Sequence, residues 1–411
     1  MKKVALTTLG CDKNTCDSEC LAGALKAQGY TFVADDADAD IIIVNTCAFI
    51  KSARDEALRV IKSKLEFKDH ARIVVTGCMT VKHKNLIPDG VEVWDIAKIP
   101  LLEEVDAKAD SVVSPNQKLL STPQSYAYIK ISDGCDNRCS YCTIPSIRGS
   151  YKARPESEIL DEVTRFASLG VGEFILVAQD LTKYPNLVKL IQNISKINGV
   201  QRIRLHYVYP NGITQELLDE IARNPKVCKY LDIPFQHVSP RIVSLMNRKG
   251  GAAEYLELIA NVRKKIPGIT IRSTFMVGFP TETDDDFAIA CDFLETANLD
   301  YVGFFKYSRE QGTPAYSMEQ VPEKIKSARL KTIQAIQSKV LEAKHNGLVG
   351  QRIKVVCDFY DAVLGCSITR CEHLSPEVDP IIIVKARLKV GEYAEIKITG
   401  VQKENLVGEL A

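Results

Sequence analysis

The chain has 411 residues, more than one hydrophobic core usually serves, so two or three domains are expected. Its 53 Lys and Arg against 52 Asp and Glu leave almost no net charge, which argues against a nucleic-acid or membrane-surface binder and for a protein or small-molecule partner. No charged-then-apolar leader opens the chain and no apolar run reaches the roughly 18 residues of a membrane span, so a soluble, cytoplasmic protein with no membrane partner is expected.

In chain order, Lys3 to Thr8, Ile41 to Asn45 and Arg72 to Thr76 are short apolar runs with the look of buried parallel strands. Helical periodicity separates them at Ser18 to Gln28 and Arg54 to Leu65, which predicts a doubly wound α/β domain. A turn-rich stretch from Asp110 to Ser125 marks its end. Alternation resumes with strand-like segments at Tyr126 to Ser132, Glu173 to Val177, Arg202 to Tyr207, Tyr230 to Ile233, Thr270 to Val277 and Tyr301 to Tyr307. Such a series of βα units predicts a barrel or partial (β/α)6 barrel with its chemistry at the C-terminal ends of the strands. A charged amphipathic helix, Glu323 to Asn346, leaves the barrel. Short strands at Arg352 to Phe359, Ile381 to Val384, Tyr393 to Thr399 and Leu406 to Glu409 then predict a small β-barrel. The expected domains are therefore 1–120, 121–345 and 346–411.

Thirteen cysteines in a reducing compartment are not expected to be structural disulfides, so metal or catalysis is the question. Cys135, Cys139 and Cys142 form a C-x3-C-x2-C in a Gly-flanked loop directly after the first barrel strand. A four-iron cluster takes four thiolates when fully ligated, so three leave one iron open for a substrate. A zinc knuckle would need a second Cys or His pair close by, and Thr143 to Arg154 supply none. Cys11, Cys47 and Cys78 each follow a predicted parallel strand of the first domain. The carboxyl ends of such strands share one edge, so these three thiols should converge on a second, three-ligand site. Cys16 and Cys20 share a helix face and are read as core lining. Cys228, Cys291 and Cys357 are read as small buried hydrophobes, while Cys366 and Cys371 are given no role.

The C-x3-C-x2-C with an aromatic, Tyr141, before its last cysteine resembles the signature of the radical S-adenosylmethionine superfamily. In that superfamily the open iron binds S-adenosylmethionine, which is cleaved to methionine and a 5'-deoxyadenosyl radical. Thr8 to Asn14, Val44 to Cys47, Thr76 to Cys78 and Gly134 to Arg148 together resemble the methylthiotransferases over essentially the whole length. The resemblance implies two [4Fe–4S] clusters, the second holding the sulfur to be inserted, a second S-adenosylmethionine as methyl donor, a C-terminal TRAM barrel, an electron donor and a sulfur source.

One branch of that family modifies adenosine in transfer RNA, another an aspartate of small-subunit ribosomal protein number twelve. Asp232 to Ser239 carries Gln236-His237 and not the Gln-Ser-Gly form of the RNA branch, and Ile144 to Gly149, Val277 to Thr283 and Tyr307 to Thr313 also fit the protein-modifying branch. The chain departs from the family pattern in a short loop after Asp180 and in a turn expected over Gly365 to Cys371. Residues 347–411 are also near neutral where an acidic face is expected, with nine acidic against eight basic side chains. Gln179 and Gly278, at strand ends, are candidates for holding the nucleoside, and Tyr141 for packing beside the cluster. Gln236 and His237 are candidates for facing substrate. The competing functions are a transfer-RNA methylthiotransferase, which would want a basic stripe, and an electron carrier, which would not explain the barrel.

Overall fold

The computed structural model describes residues 2–94 and 118–411. Residues 110–117 of the expected boundary stretch lie outside the described residues.

The first domain is a parallel sheet of β1 (Lys3–Thr8), β2 (Thr31–Phe32), β3 (Ile41–Thr46), β4 (Arg72–Gly77) and β5 (Glu92–Val93) in the order β2-β1-β3-β4-β5. Its helices are α1 (Asp12–Ala27), α2 (Lys51–Lys64) and α3 (Cys78–Lys82). Every residue of β3 is buried. Ile41 and Ile43 pack with Leu21 and Leu25 of α1, while Val44 packs with Ala57 and Ile61 of α2. This two-sided burial is why the strand reads as an unbroken apolar run. α1 begins six residues before the periodicity suggested, because Asp12 to Asp17 are polar yet helical.

The second domain is a parallel sheet of β6 (Tyr126–Lys130), β9 (Glu173–Val177), β10 (Arg202–Leu205), β11 (Val227–Asp232), β12 (Thr270–Val277) and β13 (Tyr301–Lys306). These six strands pair in consecutive order, and the edge strands β6 and β13 do not pair with each other, so this is the expected partial barrel. A two-stranded clasp, β7 (Ser132–Asp133) with β8 (Lys152–Ala153), brackets the cysteine loop and α4 (Ile144–Arg148). α5 (Glu156–Ser168), α6 (Leu187–Lys196), α7 (Gln215–Arg223), α8 (Pro240–Leu245), α9 (Ala252–Lys265) and α10 (Asp284–Ala297) link the later strands. The outward strand residues, Phe174, Leu176, Ile203, Leu231, Ile271 and Phe275 among them, form the main core with these helices.

Tyr126, Tyr128, Ile175, Val177 and Tyr230 face inward, and parts of the neighbouring domains pack against them. From the first domain, Cys16 of α1 packs against Tyr126, Tyr128, Ile175 and Val177, so it lines a core as expected, although that core belongs to the barrel seam. α11 (Glu323–Leu348) leads to the third domain, a closed barrel of β14 (Arg352–Asp361), β15 (Cys366–Arg370), β16 (Ile382–Val384), β17 (Tyr393–Gln402) and β18 (Asn405–Leu410) in the order β14-β15-β16-β18-β17. The turn expected over Gly365 to Cys371 is a correction: Cys366–Arg370 is a strand, hydrogen-bonded to β14 on one side and β16 on the other. Its Ser, Thr and Cys residues hid that pairing. Cys228, Cys357, Cys366 and Cys371 are buried and Cys291 half-buried.

The loop after β15 enters the second domain's lumen. Glu377 accepts from Tyr126 Oη and Tyr128 Oη, both at 3.0 Å, and Asp379 accepts from Tyr230 Oη at 2.7 Å. Arg370 joins Arg204 on the buried Glu173. His206 bridges all three domains, with Nε2 2.7 Å from Ser375 Oγ and Nδ1 3.4 Å from Asp12 Oδ2.

Candidate functional site

The C-terminal ends of β1, β3 and β4 carry Cys11, Cys47 and Cys78. Cys47 follows β3 immediately, Cys78 opens α3, and Cys11 caps α1 after the Leu9-Gly10 turn. Gly10 has φ +100°, and a Cβ there would lie 2.6 Å from Cys47 Cβ, so only glycine lets the first turn approach the second thiol. Gly77 plays the same part before Cys78: its φ is +94°, and a Cβ would meet Asn45 Oδ1 at 2.2 Å.

Asn14 ties the turns together. Its Nδ2 donates to Leu9 O at 2.7 Å and to Thr46 O at 3.1 Å, and its Oδ1 lies 3.7 Å from Cys78 Sγ. Asn45 Nδ2 in turn donates to Asn14 O at 3.0 Å and Ser18 Oγ at 2.8 Å. Both asparagines lie in the segments that carry the family resemblance, and the sequence alone gives neither a role. Burial pushes the Cys47 thiol up to about 11, and neighbouring Cys11 and Cys78 push the same way, so the three thiols lie within electrostatic reach of one another. Burial also raises Cys78, against the Arg148 guanidinium. Metal binding must therefore displace protons from this site.

The second triad sits at the C-terminal end of β6. Cys135 N donates to Gly149 O at 3.2 Å, Cys142 N to Cys139 O at 3.1 Å, and Asn137 Nδ2 to Asp180 Oδ2 at 2.7 Å. Ser140 is fastened to the α8 end through Leu245 O and Met246 O. Gly134, at φ +70°, passes so close to the chain returning before β8 that a Cβ would strike Ser150 O at 2.1 Å. Burial, with Cys139 and Cys135 adding to it, drives the Cys142 thiol up to about 12. Among the described residues no three Cys, His, Asp or Glu side chains are placed to hold a single metal ion.

The other candidate residues divide. Gln179 lies two residues past β9; its Nε2 donates to Asp133 Oδ1 at 3.1 Å, and its Oε1 is buried with no hydrogen-bond partner among the described residues. Gly278 has φ +70° and gives its N–H to Glu282 Oε2 at 2.8 Å, so its amide is already engaged. Tyr141 packs edge-on to Phe279, 6.5 Å between ring centres, beside the cysteine loop. Gln236 holds φ +71°, an uncommon state for a non-glycine residue, fixed by backbone bonds to Thr274 O and from Met276 N. His237 is buried: Nδ1 accepts from Ser239 N at 3.0 Å and Nε2 lies 3.4 Å from Glu282 Oε2, so both nitrogens have partners within the protein.

Two known families and one uncharacterised one map onto this architecture: the Radical SAM superfamily over 129–294, the TRAM domain over 349–411, and the uncharacterised protein family UPF0004 over 3–97. The ribosomal protein uS12 methylthiotransferase RimO of Thermodesulfovibrio yellowstonii is 40% identical, covering 97% of both chains. That of Elusimicrobium minutum is 38% identical over all of both chains. This chain belongs to the uS12 methylthiotransferase family. The methylthiotransferase thus has the radical S-adenosylmethionine chemistry, the [4Fe–4S] clusters and the TRAM barrel of its relatives. Its fold is also similar to that of the radical S-adenosylmethionine methyltransferase TsrM from Kitasatospora setae, with a TM-score of 0.53, 16% identity and 77% of each chain covered. No described helix is long and apolar enough to cross a membrane.

Proposed function

We propose that this methylthiotransferase modifies the β-carbon of an aspartate in ribosomal protein uS12, in the cytoplasm, with one cluster on each cysteine triad. The observation that carries the reading is the convergence of two separate triads on one seam: Cys11, Cys47 and Cys78 at one sheet edge, and Cys135, Cys139 and Cys142 at the adjacent barrel mouth, joined through Arg148. Bound there, the clusters and S-adenosylmethionine would supply the hydrogen-abstracting radical, the sulfur and the methyl group.

The chain's own residues hold, orient and enclose. Gln179 Oε1 would take a polar group of the cofactor, and Tyr141 would wall the radical cluster against Phe279. Gln236, its backbone strained beyond the β11 end, would face the substrate backbone, while His237 and Glu282 hold the turn behind it. Gly278 would let the chain pass close to Lys326, where a Cβ would meet Cγ at 2.3 Å. The uS12 substrate follows the name of relatives that match end to end, and the Gln236-His237 form of the turn supports it. An electron donor and a sulfur source complete the set of partners.

The test gives the anaerobically reconstituted enzyme purified uS12 and unmodified transfer RNA in parallel, with methylthio product read by mass spectrometry. Product on one uS12 aspartate is expected. Product on the RNA alone would overturn the substrate while leaving the reaction type standing.

A further inference from the structure

Arg148 ends α4, six residues after Cys142, yet its side chain leaves the barrel and enters the first domain. Only 6% of that side chain is exposed. Nη2 donates to Asn14 Oδ1 at 2.6 Å and to Cys78 Sγ at 3.7 Å. Nη1 pairs with Asp17 Oδ2 at 2.8 Å and Asp133 Oδ2 at 3.2 Å. Packing agrees with this: the preceding Ile147 is buried in the first domain's core beside Val44, Ala48, Val75 and Met79. By its contacts α4 is a piece of the radical motif docked on the other triad's domain.

We propose that Arg148 is a positioning residue of the Cys11, Cys47 and Cys78 site, supplied across the domain boundary by the radical cysteine loop. The inference rests on the reading that this triad holds a cluster. Three features carry it. First, the charges balance without the thiolates. Lys130 Nζ joins the same two carboxylates, 2.5 Å from Asp17 and 2.8 Å from Asp133, so two cations meet two anions and Nη2 is left to face Asn14 and Cys78. Second, Asn14 is the residue that fixes the turns before Cys11 and Cys47, so one guanidinium acts on all three ligand positions. Third, Asp133 also accepts from Gly134 N at 2.9 Å and from Gln179, which makes Cys78, Arg148, Asp133 and the Cys135 loop one continuous hydrogen-bonded path.

A fixed cation beside a ligand sulfur favours the more negative, reduced state of a cluster, and hydrogen bonds to the sulfurs act in the same direction. Arginine suits the place because it stays charged and its planar fork reaches sulfur, amide and carboxylates at once. Lysine could keep the charge but not all four contacts.

The experiment is an anaerobic potentiometric titration of the first-domain cluster by electron paramagnetic resonance. It uses the full chain with Cys135, Cys139 and Cys142 replaced by Ala, so that one cluster remains, and compares Arg148 with Arg148→Gln and Arg148→Lys. Arg148→Gln is expected to titrate at a more negative potential with its iron retained, and Arg148→Lys to recover part of the shift. If the Gln variant instead loses iron, recovery of that iron in the Lys variant supports the same positioning role and absence of recovery overturns it. Equal potentials and equal iron in all three proteins would overturn the inference. No iron in the protein that keeps Arg148 would instead overturn the cluster reading beneath it.

Discussion

Each cysteine of the first triad depends on a neighbour whose importance lies in size or backbone and not in chemistry. At Gly10 and Gly77 the left-handed backbone and the 2.6 Å and 2.2 Å approaches leave no room for a methyl group. Gly10→Ala and Gly77→Ala should therefore lose the first cluster and keep the second, which iron analysis would read as about four of about eight irons per chain. Full iron in either variant would remove the steric argument. His237 belongs to the same scale with the opposite moral. A lone histidine near a strand end could face substrate or serve the core, and its bonds to Ser239 and Glu282 place it in the core. His237→Ala, by leaving buried polar groups unpaired, should lower stability by about 1–3 kcal/mol in denaturant titration.

At the scale of elements the most consequential contact is the one between β9, β10 and β15. Glu173 is fully buried; burial disfavours its charged form, but Arg204, Arg370 and Arg202 outweigh that and hold its carboxyl at about 2, below the usual 4.5. A depressed carboxylate stabilises the fold above its unfolded value and ceases to do so as pH falls through its folded one. The seam between barrel and TRAM should therefore weaken between about pH 4.5 and pH 2, readable as a falling unfolding midpoint over that window. Glu173→Ala leaves the buried Arg204 without a carboxylate and Arg370 with Asp358 alone, and should cost about 3–5 kcal/mol at neutral pH. The strand Cys366–Arg370 and the loop after it also tie the last domain into the barrel. Removing residues 347–411 would take the acceptors from Tyr126, Tyr128 and Tyr230 inside the barrel and one of two partners from Arg204, so the shortened chain is expected to lose stability.

Over the whole molecule, the order of a doubly wound domain, a partial barrel and a small closed barrel was legible because each leaves a periodic trace: two-sided apolar strands such as Ile41–Thr46, and alternation in the last domain. The two triads were legible as spacing and as strand-end positions. The seam was not. Asn14, Asp17, Asp133 and Arg148 meet across up to 134 residues of chain, and a buried charge looks in sequence like a solvated one. The same holds for Glu377 and Asp379, which sit about 250 and 150 residues from the tyrosines they meet. What joins the domains is polar, and polar contacts leave no periodic signature.

The proposed division of labour between the triads is open to direct test in one variant. With Cys11, Cys47 and Cys78 all replaced by Ala, the reconstituted enzyme should still cleave S-adenosylmethionine to 5'-deoxyadenosine under reducing conditions and should place no methylthio group on uS12. Methylthiolation at the rate of the unaltered enzyme in that variant would contradict the assignment of sulfur insertion to the first domain.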